Sequence, residues 1–140
     1  MTNPERVEPV WLDAALAYAV HDRQLAEHGG GSGVRDAGLL ESALARPVNG
    51  WAYGTDDPAA LAAAYAFGVA RNHPFVDGNK RTAWVLARLF LAVNGQDLRF
   101  TAEDAIAAMM ALATGELGEE QMAEWFRARL ARRRDRGAVI

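Results

Sequence analysis

Residues 71–84, RNHPFVDGNKRTAW, hold within one short run side chains suited to proton transfer, metal binding and anion binding. His73 is a candidate general base, because an unperturbed imidazole has a pKa of about 6.5 and exchanges protons near neutral pH. Asp77 is a candidate metal ligand, since Mg²⁺ in proteins binds one or two carboxylates together with phosphate oxygens. The run therefore predicts a site that handles phosphate.

The residues after Asp77 indicate where a phosphate would bind. Residues 79–93 read as a helix, and the first N–H groups of a helix lack partners and carry partial positive charge. Lys80 and Arg81 add cations to that end, which is locally unfavourable unless an anion lies there. Gly78 would let a ligand approach the backbone. The predicted ATP- or phosphate-binding residues are Gly78, Asn79, Lys80, Arg81 and Arg71.

Each of these residues also has a purely structural interpretation. His73 would then be a loop histidine bonded to the backbone, and Asp77 would be a helix cap. Lys80 and Arg81 would be a solvated pair, and Arg71 would form an ion pair. Taken singly, each residue fits that interpretation. The complete set at the start of a buried helix favours a site.

The pattern along the chain predicts helices, because alanine is abundant and apolar residues recur at intervals of three and four. Asp36, Asp57 and Thr101 are predicted N-caps, whereas Gly29 and Pro47 are predicted to end the first and second helices. No strand is predicted. The predicted helices span residues 11–28, 35–47, 56–72, 79–93, 102–113 and 118–134.

Two of these segments, residues 61–70 and 83–93, are apolar on nearly every side, which is typical of helices at the centre of a protein. Gly68 would allow a neighbouring backbone to approach closely. The prediction is an all-α bundle of about six helices with a central antiparallel pair. The loop HPFVDG then joins that pair, and the candidate site lies at the N-terminus of the second central helix.

The composition indicates a globular protein of ordinary charge. The 140 residues fit one domain, 1–140, with 51% apolar and 24% charged residues. A net charge of −3 provides no overall electrostatic attraction to nucleic acid or to an anionic membrane. The absence of cysteine and of a recognisable signal or membrane-spanning segment predicts a cytoplasmic location.

The run HPFVDGNKR resembles the signature of the Fic/Doc superfamily, specifically its death-on-curing (Doc) toxin branch. The resemblance extends through HDRQLAEHGG, GLLESALARP, AAAYAFGVARNHPFVDGNKRTA and FLAVNG. It implies a small all-α fold with the motif at the start of a central helix. It also implies His73 as the catalytic residue, Asp77 as the Mg²⁺ ligand, and the residues after Asp77 as ATP-binding.

Two positions distinguish the branches of this superfamily. AMP-transferring members typically read HPFx[D/E]GNGRxxR, whereas here Lys80 replaces the last glycine and Trp84 the second arginine. This departure resembles Doc toxins, which transfer the γ-phosphoryl group of ATP to elongation factor Tu and so inhibit translation. The implied activity is an ATP- and Mg²⁺-dependent protein Ser/Thr kinase. Protein nucleotidyl transfer and a catalytically idle binding module stay as alternatives.

The resemblance also implies a protein that restrains the activity. The inhibitory pattern [S/T]xxxE[G/N] of some Fic proteins does not occur in these 140 residues. A Phd-type antitoxin is therefore expected, with a flexible C-terminal segment that folds as a helix into a groove. The first helix and the run GSGVRDAGLLESAL are the predicted groove walls.

Three further patterns favour structural roles. GGGSG at residues 29–33 is interpreted as a helix stop and flexible linker, since neither GxxxxGK[ST] nor a preceding strand is present. His21 and Asp22 lie within the first helix without the further histidines of a metal phosphohydrolase. The basic run from Arg127 onwards is interpreted as a solvated helix end, with a nucleic-acid contact as the minor alternative.

Overall fold

The computed structural model describes residues 6–132 and is predominantly helical, with one very small sheet. The helices and strands are α1 (Ala14–His28), α2 (Ala37–Ala52), α3 (Pro58–Asn72), α4 (Asn79–Val93), β1 (Gln96–Leu98), α5 (Ala102–Thr114), α6 (Glu119–Arg127) and β2 (Leu130–Arg132). The predicted all-α bundle of six helices is confirmed.

Most of the helices begin at a side chain that accepts a hydrogen bond from their first turn. Asp13 caps α1, Asp36 caps α2, Asp57 caps α3 and Thr101 caps α5, at oxygen–nitrogen distances of 2.9–3.2 Å. Such caps satisfy N–H groups that the helix itself leaves without an acceptor. Local sequence therefore sets where these helices start. The cap at Asp13 places the start of α1 at Ala14, and the predicted start at Trp11 is wrong.

The central helix of the bundle is α3, whose residues from Ala59 to Ala70 are buried except for Ala60 and Phe67. It packs against α2, α4 and α6, and also touches α5. The short connection from residue 73 to 78 returns the chain, so that α4 runs antiparallel beside α3. In contrast to the prediction, α4 keeps one side towards solvent, where Arg88 is exposed.

Gly68 permits the close approach that its position predicts, but the neighbour is α2 rather than α4. A Cβ at Gly68 would lie 3.0 Å from both Cα and Cβ of Ala43. That distance is shorter than ordinary carbon–carbon contact, so any side chain at this position would push α2 and α3 apart.

The prediction that Pro47 ends α2 is wrong, because the helix continues to Ala52. A proline inside a helix loses one hydrogen bond and costs about 3 kcal/mol. Here the ring of Pro47 is buried, and the turn beyond it brings Trp51 edge-on to Trp11, with ring centroids 6.3 Å apart. Burial of these apolar groups offsets the lost bond.

The prediction that the last helix runs to residue 134 is also wrong. Helix α6 ends at Arg127, and the chain then pairs Leu130 with Leu98 in an antiparallel sheet. The pairing involves segments distant in sequence, and period-based prediction cannot detect it. The remainder of the basic run, residues 133–140, lies outside the described residues. Within that described part, no helix combines the length and apolar character that crossing a bilayer requires.

Candidate active site

The N-terminus of α4, like that of α6 at Gly118, lacks the side-chain cap that the other four helices have. The first turn of α6 carries Glu119 and Glu120, whereas that of α4 carries Lys80 and Arg81. The N-cap of α4 is Gly78, in the left-handed conformation with φ 78°, and no side chain accepts a hydrogen bond there. Among residues 6–132, the backbone N–H groups of Asn79, Lys80 and Arg81 have no acceptor. Three free N–H groups at the positive end of a helix, beside two cationic side chains, are able to bind an anion such as phosphate.

A cleft of about 440 Å³ opens over this helix start. It is lined by His73, Val76, Asp77, Gly78, Asn79, Lys80, Arg81 and Ala113. Six of the seven residues singled out from the sequence therefore meet in one cavity, and their spacing along the chain places them there because they flank a single tight turn. Arg71 is the exception.

His73 is the C-cap of α3 and has left-handed backbone angles, φ 49° and ψ 57°. Its side chain is exposed to the cleft, and its imidazole makes no hydrogen bond to any residue between 6 and 132. An imidazole without protein partners, next to an anion site, is able to accept a proton from a bound hydroxyl group.

The carboxylate of Asp77 accepts two backbone hydrogen bonds. Gly78 N–H donates to Oδ1 at 2.8 Å, and Gly31 N–H donates to Oδ2 at 3.3 Å. These bonds, first that from Gly78, together with the electrostatic influence of Arg81 and His21, hold the pKa of Asp77 below its ordinary value of 3.8. The group is therefore an anion at neutral pH and retains lone pairs for a cation.

The donor set fits a metal ion that arrives with phosphate better than it fits a free ion. Among the described residues, no three His, Cys, Asp or Glu side chains are placed so that they could hold a metal ion together, so Asp77 would be the single carboxylate ligand. Mg²⁺ commonly binds in this way, through one or two carboxylates with the remaining ligands from substrate phosphates and water. The free N–H groups of α4 are where those phosphates would lie.

The side chain of Asn79 stabilises the loop before α4 and does not face the cleft. The buried amide donates to Phe75 C=O and accepts from Phe75 N–H, both at 3.0 Å. Both ends of the amide are thus occupied by one backbone residue. Any contact of Asn79 with phosphate would therefore use its main-chain N–H group. The sequence predicts a phosphate-binding role for Asn79 without this restriction to the main chain.

Arg71 does not line the cleft. Its guanidinium lies 5.6 Å from the ring centre of Phe67 and packs against Gly115 at the C-terminus of α5. The alternative of an ion pair is not realised with any residue between 6 and 132. A phosphate contact by Arg71 stays a prediction.

The sequence predicts a helix stop and a flexible linker at the glycine-rich run 29–33, and the structure confirms the helix stop. Gly29 ends α1, with its N–H bonded to Leu25 C=O at 2.7 Å. The following residues bind the loop at residues 73–78, the motif loop, since Gly33 C=O accepts from Val76 N–H at 3.1 Å. A Cβ at Gly30 would lie 2.8 Å from Oδ2 of Asp77, so this backbone approaches the carboxylate because it lacks side chains.

His21 has a role that the sequence did not reveal. It is 2% exposed, its ring stacks on Phe75 with centroids 3.8 Å apart, and its Nε2 lies 2.8 Å from Asp77 C=O. The carbonyl can only accept, so Nε2 carries the proton in this bond. A polar residue on the inner face of α1 indicates a buried hydrogen bond, but the sequence does not identify the partner, which lies 56 positions away.

Trp84 lies one turn beyond the anion site and belongs to an aromatic cluster. Its ring is edge-on to Phe100, with centroids 5.0 Å apart, and nearly parallel to Phe126 at 6.3 Å. With Lys80 and Arg81 it also lines an adjoining apolar groove of about 390 Å³. The position is therefore built for packing, and it offers no charge to a phosphate.

The chain is similar in sequence to known proteins of one family. Residues 11–91 match the sequence model of the Fic/DOC family. The chain is 52% identical over 73 residues to Toxin Doc of Mycolicibacterium smegmatis. The aligned segment covers 50% of this chain and 55%, about half, of that relative. The chain is 34% identical over 110 residues to Protein kinase doc of Escherichia phage P1, covering 78% of this chain and 86% of the relative. With a family match over residues 11–91 and a relative 34% identical over 86% of its length, the chain belongs to the Fic/DOC family.

Proposed function

We propose that this protein is a Doc-type toxin, an ATP- and Mg²⁺-dependent kinase that phosphorylates a Ser or Thr hydroxyl of a protein. The single observation that carries the proposal is the uncapped start of α4. Its three free N–H groups lie in the same cleft as an unbonded imidazole and an ionised carboxylate. The name of the phage P1 relative, Protein kinase doc, supports the same chemistry.

The residue roles follow from where each group lies. His73 accepts the proton of the target hydroxyl as that oxygen attacks the γ-phosphorus of ATP, and ADP is the leaving group. Asp77 would hold Mg²⁺, and the main-chain N–H groups from Asn79 onwards, with Lys80 and Arg81, would hold and orient the phosphates. ATP supplies the γ-phosphoryl group when bound. Phosphoryl transfer depends mainly on positioning and charge stabilisation, which this set provides.

Transfer of the γ-phosphoryl group, rather than of AMP, is favoured by Lys80 and Trp84. Lys80 lines the cleft where AMP-transferring relatives have glycine, so its side chain fills space that the glycine would leave open. Trp84 packs among Phe100 and Phe126 where those relatives have a second arginine. One phosphate clamp is therefore missing, and the nucleotide is expected to bind in a different orientation.

The proposed target and partner come from the resemblance to Doc toxins. Elongation factor Tu in the cytoplasm is the expected protein target, and its phosphorylation would inhibit translation. A Phd-type antitoxin, with a C-terminal helix that occupies a groove of this protein, is the expected partner. The name of the relative Toxin Doc agrees with a toxin–antitoxin pair.

The test is a transfer assay with purified protein, Mg²⁺ and elongation factor Tu, run in parallel with ATP labelled at the α- or the γ-phosphate. Label from γ-ATP alone, lost in His73→Ala and on addition of a Phd-type antitoxin, is the expected result. His28→Ala is the matched control, since His28 is an exposed histidine at the end of α1 and should leave transfer unchanged.

Other outcomes change the assignment. Label from α-ATP would make the protein a nucleotidyl transferase despite Lys80. Full activity in His73→Ala would remove His73 as the base. Label that appears in whole lysate but not on elongation factor Tu would keep the kinase chemistry and replace the target, and no label in either would leave the idle binding module.

A further inference from the structure

The C-terminal end of α3 is held by a single arginine from the segment before α2. Arg35 donates from Nε to His73 C=O at 2.6 Å and from Nη2 to Asn72 C=O at 2.7 Å. Its main-chain N–H donates to Pro74 C=O, also at 2.7 Å. Three consecutive carbonyl groups, with His73 at their centre, are thus bound by one residue.

His73 needs this support because of its backbone conformation. It is the sole non-glycine residue with positive φ among residues 6–132. Left-handed angles are unfavourable for a residue with a Cβ and persist where surrounding contacts hold them. The N–H group of His73 contributes one bond, to Val69 C=O at 3.3 Å, so the short bonds from Arg35 are the stronger restraint on the carbonyl side.

We propose that Arg35 is a positioning residue, which holds His73 in the left-handed conformation that directs its imidazole into the cleft. The proposal rests on the proposed function for the role of that imidazole. A general structural role fits Arg35 less well. The residue is exposed, and its guanidinium bonds main-chain carbonyls and forms no ion pair with any residue the structure describes.

The chemistry of the guanidinium suits this position. The last carbonyl groups of a helix lack partners and carry partial negative charge, which favours a cation. The planar fork of arginine reaches two adjacent carbonyls at once, whereas the ammonium group of lysine acts as a point charge. Charge alone should therefore not replace Arg35, and Arg35→Lys should lose most of the restraint on His73.

The experiment compares Arg35→Lys and Arg35→Met with Arg23→Lys and Arg23→Met. Arg23 is a matched control, because it is an exposed arginine on α1 whose partner, Glu27, is one turn away. We expect kcat of both Arg35 variants to fall by roughly 10- to 100-fold, since misplacement of a reacting group has effects of that size. The KM for ATP should stay within about twofold, because Asp77 and the free N–H groups of α4 are unaltered. A third variant, Arg35→Ala, should regain part of its lost activity when free guanidinium is added well below denaturing concentrations.

A second measurement does not depend on activity. NMR coupling constants and chemical shifts report the φ angle of His73, which should be positive in the unaltered protein and shift to negative values in Arg35→Met. A positive φ retained in Arg35→Met would overturn the inference, and so would unchanged kcat or a matching rise in KM. Absence of transfer by the unaltered protein would instead contradict the proposed function, and the NMR result would still decide the role of Arg35.

Discussion

At the scale of single residues, the motif loop is held at both ends by side chains outside the motif. Arg35 binds the carbonyls around His73, and His21 binds the carbonyl of Asp77 while its ring covers Phe75. Between them, Asn79 ties the backbone of Phe75 to the start of α4. The groups proposed to react are exposed, and the groups that hold them in place are bonded to the backbone.

The two functions of the His21 ring can be separated by substitution. His21→Phe keeps a ring against Phe75 but leaves the carbonyl of Asp77 without its donor, which should lower the free energy of unfolding by about 1–3 kcal/mol. His21→Gln keeps a donor and loses the stacked ring. Urea unfolding and ATP binding by calorimetry measure both effects. We expect weaker ATP binding in His21→Phe than in His21→Gln, and the reverse order would contradict a positioning role for the hydrogen bond.

The lowered pKa of Asp77 predicts how its contribution to stability depends on pH. Because the hydrogen bonds from Gly78 and Gly31 favour the carboxylate in the folded state, that contribution is present above the unfolded pKa, near 3.8. It is lost as the pH falls through the lower folded value. The difference in unfolding free energy between the unaltered protein and Asp77→Asn should therefore be constant from neutral pH to about pH 5 and shrink below about pH 4. A difference that stays constant down to pH 2 in urea titrations would contradict the lowered pKa.

At the scale of secondary structure, the site depends on α4 starting without a cap and on α3 lying in a fixed position beside it. Four helices begin at Asp or Thr caps, whereas α4 begins at Gly78 with free N–H groups. The position of α3 is set on its other side by α2, through the close contact at Gly68. The packing of two helices away from the cleft therefore supports its geometry.

Gly68→Ala should destabilise the protein although alanine is the better helix former. The new Cβ would lie 3.0 Å from Ala43 Cα, and separating two backbones outweighs a gain in helix propensity of about 1 kcal/mol. We expect a net loss of roughly 1–2 kcal/mol by thermal or urea unfolding. Gly50→Ala is the matched control in α2. Its Cβ would meet Thr55 at 3.8 Å, an ordinary contact, and it should be neutral or stabilising.

At the scale of the whole molecule, the segment before α1 is attached to the core by specific contacts. Leu12 N–H donates to the hydroxyl of Tyr65 at 3.0 Å, and Trp11 stacks on Phe90 with ring centroids 5.8 Å apart. Asn94, after α4, both donates to and accepts from the backbone of Val10. These contacts join the start of the chain to the two central helices.

Tyr65→Phe should lower stability by about 1–3 kcal/mol, because it leaves the buried N–H group of Leu12 without an acceptor. Burial also raises the pKa of Tyr65 to about 12, from 10.0. A raised folded pKa means that the neutral hydroxyl stabilises the fold fully below pH 10 and that this contribution is lost as the pH rises towards 12. Unfolding titrations between pH 8 and about 11 should show a smaller alkaline loss in Tyr65→Phe than in the unaltered protein. Tyr53→Phe, at a residue that is 92% exposed, should match the unaltered protein throughout.

The sequence by itself determined the features that depend on neighbours along the chain. The caps at Asp36, Asp57 and Thr101 act on N–H groups two or three residues away, so their positions predict where helices begin. The motif residues from His73 to Arg81 flank one turn, and for that reason their spacing alone brought them into one cleft. Helical periodicity similarly identified the buried centre of the fold.

The tertiary structure alone decided which groups hold the site in place. The distant partners of Asp77 are Gly31 and His21, and the distant partner of His73 is Arg35, each at least 38 positions away in the chain. The same holds for the pairing of β1 with β2, which ended α6 earlier than its periodicity predicts. Hydrogen bonds of this kind form only after the helices have packed and brought groups that are distant in the chain within hydrogen-bond distance. No local pattern in the sequence encodes that approach.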